Sequence, residues 1–221
     1  MLPRTLLRWS WAVPLLVLAL TPITAEAAST AKTPSLETTV WQFIRASGLV
    51  AFVLLTISTA MGIAVNVRAL DSLMKRAWVY EAHQTLALLA LAMTGLHVAL
   101  LLVHTYMPFS LVEILVPFAA RWRPVASALG TLSLHLSILL IATSYIRQSI
   151  GQKAWRVIHY SGFAGWAFAL LHGIASGSDS GLPWVQYLYL ISGAVVGFLT
   201  IFRLLAPSGR QATAPRRLTT R

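Results

Sequence analysis

There is no cysteine anywhere in the chain. That excludes a disulfide, a thiolate-ligated iron–sulfur cluster, a Cys-containing zinc site and a covalently attached c-type haem. A redox metal would have to be held by histidine or by harder ligands. Charge is scarce too: 10% of the 221 residues are charged and 57% are hydrophobic. Mean hydropathy is +0.72, and soluble domains carry roughly 25% charged residues. Acids are the scarcest, six against 17 Lys and Arg, for a formal net charge of +11. The basic residues fall in short loops between apolar runs and in a C-terminal tail. That is the distribution of topology determinants, so no nucleic-acid partner is expected. A Gly-rich dinucleotide-binding signature is also missing, which leaves flavin or nicotinamide chemistry to another polypeptide.

What is present reads as an all-α integral membrane protein. The spacing predicts a five-helix transmembrane bundle after an N-terminal signal segment, or six helices if that segment is not cleaved. Residues 1–27 have a basic start at Arg4 and Arg8, a short apolar core from Trp11 to Leu20, and the small-x-small site Ala25-Glu26-Ala27. Residues 28–40 form a polar exported linker. Residues 41–205 hold the bundle, with spans expected at Trp41–Val65, Val79–Tyr106, Val125–Ile146, Arg156–Ser176 and Trp184–Leu205. Phe109–Ala120 is expected to lie along the interface. Residues 206–221 are a basic tail.

The loops set the orientation. Arg68, Lys75 and Arg76, then Arg147, Lys153 and Arg156, then the tail all fall on one side if the spans alternate. The positive-inside rule makes that side cytoplasmic. The protein is therefore expected in the plasma (inner) membrane, multi-pass, with its mature N-terminus outside and its C-terminus in the cytoplasm.

The chemistry-bearing residues are histidines. His83 and His97 share one span, and His159 and His172 share a second span running the same way. The two intervals are nearly equal, fourteen positions in the first and thirteen in the second. At 1.5 Å per residue, each pair covers roughly 20 Å of depth. Depth then matches His83 with His159 near the cytoplasmic side, and His97 with His172 further out. Two imidazoles per level suit one bis-histidine haem per level. The angular test divides the pairs. A 14-residue step returns to within about 40° of the same face, whereas a 13-residue step lands about 140° away. Local rewinding at Gly162 and Gly165 would be needed. His104, seven residues beyond His97 and near the outer surface, reads as a structural group, with an electron exit or an alternative ligand as the other readings. His135 has no depth-matched partner and reads as a packing group or a haem-edge hydrogen bond. Trp78, Trp155, Trp166 and Trp184 read as interfacial or packing aromatics, and Gly48, Gly62, Gly95, Gly130 and Gly165 as sites of close approach.

On spacing alone, a second class of function stays open: a non-redox membrane transporter or assembly factor whose histidines bind a divalent metal or relay protons. It would want carboxylates at depth, and Glu81 is the sole acid near a span interior. Arg45, a turn inside the first span, reads either as a snorkelling cation or as a partner for a haem propionate.

Three stretches resemble the ferric reductase-like transmembrane domain, shared by ferric reductases, NADPH oxidases and the haem-binding membrane subunit of the periplasmic methionine sulfoxide reductase system. They are Arg45-Ala46-Ser47-Gly48-Leu49, His83 through His97, and Gly151-Gln152-Lys153-Ala154-Trp155-Arg156-Val157-Ile158-His159 with His172 beyond it. The likeness covers about Trp41 to Ser176. It implies two haem b groups, with His83 and His159 as inner axial ligands and His97 and His172 as outer ones. It also implies an oxidoreductase subunit for electron transfer rather than a complete enzyme. A separate flavin reductase or quinol would be the donor, and an external acceptor or partner oxidoreductase would receive the electrons. The Gly-x-x-x-Trp-x-x-x-His stretch is similar in particular to the methionine sulfoxide reductase subunit, whose members generally lack a histidine where this chain has His83. Ferric reductases usually continue into a cytoplasmic flavin–nicotinamide module, and no flavin or NAD domain is expected in this chain.

Overall fold

The computed structural model describes residues 35–67, 71, 74–105 and 107–205. The expected signal segment 1–27, most of the linker, Arg68 and the basic tail lie outside the described residues. Regular structure among the described residues is helical throughout: α1 Leu36–Val67, α2 Arg76–Val103, α3 Leu111–Leu115, α4 Pro124–Tyr145, α5 Arg147–Ile150, α6 Gln152–Ser176 and α7 Pro183–Leu205.

Local chemistry sets the helix ends. The Ser35 hydroxyl accepts the Thr38 N–H ahead of α1, and Glu37 sits in the first turn, where the helix dipole favours an anion. Pro124 and Pro183 each open a helix at the position where a missing N–H costs nothing. Gly151 separates α5 from α6 at φ 81°, in the left-handed region that glycine adopts without a Cβ clash. The short α3 is held by a capping box: Ser110 Oγ accepts the Glu113 N–H while the Glu113 carboxylate accepts the Ser110 N–H.

Four helices, α1, α2, α4 and α7, are long and apolar enough to cross a membrane. The fifth expected span, α6, has 25 residues, enough to reach across an apolar layer of ~30 Å, but it is more polar. The outward faces are apolar; Leu190 and Phe198 are each 67% exposed. In water such a surface would drive association.

Two helix pairs form the frame, α1 against α2 and α4 against α6, with α7 closing on α1. Small residues let α1 and α2 approach, around Ala51, Leu54, Ala90 and Met93. A second cluster joins α1, α6 and α7 through Phe52, Ile63, Trp166, Val185, Tyr189 and Val196. Within it the Trp166 indole N–H donates to Thr56 Oγ1 at 3.0 Å, so Trp166 is a core residue. Contact between α2 and α4 is sparse, and two cavities open between the helix pairs.

Two boundaries differ from the sequence expectation. The linker's end, Leu36–Thr39, is already helical, because Ser35 caps it. The expected loop Arg147–Trp155 is largely helical, since α5 and the first turn of α6 occupy all of it but Gly151. Residues Leu111, Val112 and Leu115 of α3 are exposed while Glu113 and Ile114 are buried.

Candidate functional site

The four histidines singled out from the sequence divide between the two cavities. His83 and His159 line one of about 630 Å³, at the end where α2 and α6 begin. His97 and His172 line another of about 270 Å³, at the opposite end. The first is called inner and the second outer. In the inner one, the His83 and His159 ring centres are 6.1 Å apart. Two imidazoles on opposite sides of one metal, each with a bond of ~2 Å, would put their ring centres about 6 Å apart.

Three of the imidazoles are seated in the same way. His97 Nδ1 lies 2.8 Å from the Ile44 carbonyl, His83 Nδ1 2.8 Å from the Ser58 carbonyl, and His172 Nδ1 2.8 Å from the Ala126 carbonyl. A carbonyl only accepts, so each Nδ1 carries the proton and each Nε2 keeps its lone pair. Four residues after each carbonyl stands a glycine: Gly48, Gly62 and Gly130. A Cβ added there would meet the imidazole at 3.1 Å, 3.0 Å and 2.8 Å respectively. The ring therefore occupies the space that a side chain would fill. A hydrogen bond of this kind fixes the tautomer and orientation of the ring, and in metal-bound histidines generally it raises the basicity of the other nitrogen. Donor type, free Nε2 and glycine cradle all fit haem iron.

His159 is seated differently. Its buried Nδ1 has no hydrogen-bond partner. The ring instead stacks on Trp155, one turn earlier on the same helix, at 4.8 Å between centres and 26° between planes. The angular misfit of the His159-to-His172 step is taken up here. Rewinding at Gly162 and Gly165 does not occur, because α6 is one continuous α-helix. The two histidines leave it in different directions, His172 onto α4 and His159 onto Trp155.

The other singled-out residues fall outside the paired arrangement or at its edges. Arg45 lines the outer cavity but has a partner in Asp179 of the α6–α7 turn, with Nε 2.7 Å from Oδ2 and a second contact from Nη2. Its charge is thus neutralised within the protein. His104 ends α2 and is buried, with Nδ1 accepting the Met107 N–H at 3.2 Å and Trp41 packed 5.5 Å away. His135 was expected to pack or hydrogen-bond; it lies on the exposed face of α4 and lines neither cavity. Gly95 has open space beside it, and so supports no close approach. Glu81 and Arg156 line the inner cavity.

Some contributors have no side-chain signature. The carbonyls of Ile44, Ser58 and Ala126 are invisible to a motif, though the interval from Gly48 to Gly62 repeats that from His83 to His97. Arg203 of α7 was also missed: it lines the inner cavity and rests on Tyr160, whose hydroxyl it reaches at 3.2 Å. Among the described residues, no three or more of His, Asp and Glu gather as they would for a bare metal ion.

No protein-family model, curated protein or solved structure matches the chain.

Proposed function

We propose that the chain is a b-type di-haem membrane protein that passes single electrons across the bilayer, from a cytoplasmic flavin reductase or quinol to an external acceptor, as an electron-transfer subunit similar to ferric reductase-like membrane domains. The supporting observation is the repeated seat: His83, His97 and His172 each give their Nδ1 proton to a main-chain carbonyl beside a glycine and keep Nε2 free. Haem iron, cycling between ferric and ferrous states, would supply the one-electron chemistry.

The chain's own contribution is ligation, spacing and surroundings. His83 and His159 hold the inner group, and His97 and His172 the outer one. Two histidines would hold each group, a ligand set that suits electron transfer. The polar inner rim, with Glu81, Arg156 and Arg203, faces the donor side in the proposed topology of five spans, N-terminus outside and C-terminus in the cytoplasm. A bare divalent ion would want three or four donors, whereas these histidines come in pairs.

The test is direct. Detergent-solubilised protein purified from haem-replete cells should be coloured, with a Soret band and an α-band that sharpens on reduction with dithionite. A colourless preparation overturns the proposal.

A further inference from the structure

On α1 the carbonyl-and-glycine seat occurs twice: Ile44 with Gly48, and Ser58 with Gly62. The second seat repeats the first after fourteen positions. On α4 the seat occurs once, Ala126 with Gly130. The same step along α4 leads to Leu140 with Ser144, and both line the inner cavity. Here the glycine is replaced. Ser144 carries a Cβ where the other seats have none, and its hydroxyl donates to the Leu140 carbonyl at 2.8 Å. The acceptor that the pattern would offer to a fourth imidazole is already engaged. His159 is also one position out of that register from His172, and its Nδ1 is left without a partner.

A second device stands in the gap. The Trp155 indole N–H points to Ser144 Oγ at 3.3 Å, and the Trp155 ring lies against the His159 imidazole. The chain of contacts runs from the Leu140 carbonyl through Ser144 and Trp155 to His159. Resting on the haem reading above, we infer that Trp155, tethered by Ser144, is the positioning residue for His159, and that His159 is the one ligand of the four held by stacking alone. A ligand without an Nδ1–H acceptor is less basic and freer to rotate than its three counterparts, so the inner pair depends on Trp155 in a way the outer pair depends on no aromatic.

The full-length protein in detergent tests this through the ferric low-spin electron paramagnetic resonance signals, whose anisotropy reports the orientation of the two axial imidazoles, together with haem per chain. Trp155→Leu should remove the inner low-spin signal or convert it to high-spin, lower haem content by up to half, and leave the outer signal in place. Trp155→Phe retains the ring and should restore the inner signal, with a shifted midpoint potential. Ser144→Ala, which frees the indole N–H, should broaden the inner signal without abolishing it. Wild-type signals at full haem content in Trp155→Leu would overturn the inference, and so would parallel loss of both haems, which would assign Trp155 to the fold. Absence of haem from the wild type would instead refute the proposed function, and this inference with it.

Discussion

His97 lies against Gly48 and donates its Nδ1 proton to the carbonyl of Ile44, one turn before that glycine. The carbonyl of residue i in an α-helix already receives the N–H of residue i+4, so Ile44 uses its second lone pair for the imidazole. To reach it, the ring must cross the face of the helix at residue 48. Any side chain there would stand in its path.

The seat makes the glycines measurable. Gly130→Ala places a Cβ 2.8 Å from His172 Nδ1 and Cε1, closer than real Cβ contacts come, so the imidazole must leave its carbonyl. Overpacking of this kind costs ~1–3 kcal/mol, on the order of a tenfold or greater loss of affinity for whatever the ring ligates. Haem content of Gly130→Ala should fall at the outer site alone. Gly95→Ala, with open space beside it, should match wild type.

The pairing itself predicts a pattern among four variants. His97→Ala and His172→Ala should each remove the outer haem and spare the inner. His83→Ala and His159→Ala should each remove the inner and spare the outer. Pyridine-haemochrome assay per chain and difference spectra check this. Full haem content in all four variants would show that the imidazoles facing each cavity ligate nothing there.

Glu113 carries an acid sensitivity outside the spans. It is a buried residue of α3 and accepts hydrogen bonds from the Ser110 N–H and hydroxyl and from the Arg121 N–H, with the Arg121 guanidinium 3.2 Å away. The Ser110 bonds, first the main-chain one, then the hydroxyl, hold its pKa at about 2 against an ordinary 4.5. Because the folded value is the lower, this stabilisation is complete above pH 4.5 and is lost as the pH falls from there toward about 2. Glu113→Gln should flatten the acid limb of thermal stability in that window. It should also lower the melting temperature at neutral pH, where the charge-assisted bonds are missing. Melting curves in detergent from neutral pH downward test both.

Much of the frame was legible because helices long and apolar enough to cross a membrane write themselves as long apolar runs. The histidine pairs were legible for the same reason: ionisable groups inside such runs are rare. What holds them was not. Main-chain acceptors such as the Ile44 and Ala126 carbonyls have no residue type, and Gly48 reads alike as a helix contact or an imidazole seat. Trp155 sits near a basic loop, where indoles commonly anchor at the interface, and only its contact with His159 gives it another role. His135 shows the converse. A histidine inside an apolar run drew attention, yet its side of α4 faces outward.

Arg45 and Asp179 are 134 residues apart in sequence, joined by two hydrogen bonds, and both line the outer cavity. Their exposures are unequal: 36% of the arginine side chain is accessible but only 13% of the aspartate. Exposed pairs contribute up to ~1 kcal/mol, whereas removing one member of a buried pair costs ~3–5 kcal/mol because the other charge stays behind. Half-buried, this pair should fall between those limits, and the two single variants should differ. Asp179→Asn leaves a guanidinium that can swing toward water. Arg45→Gln leaves a carboxylate with little access to water and should be the more damaging change. Detergent melting temperatures of the two single variants and the double variant test this order, with a double-mutant coupling of about 1–3 kcal/mol expected. Equal melting temperatures in all four proteins would mean that the pair contributes nothing and that Arg45 is free to serve a ligand in the cavity.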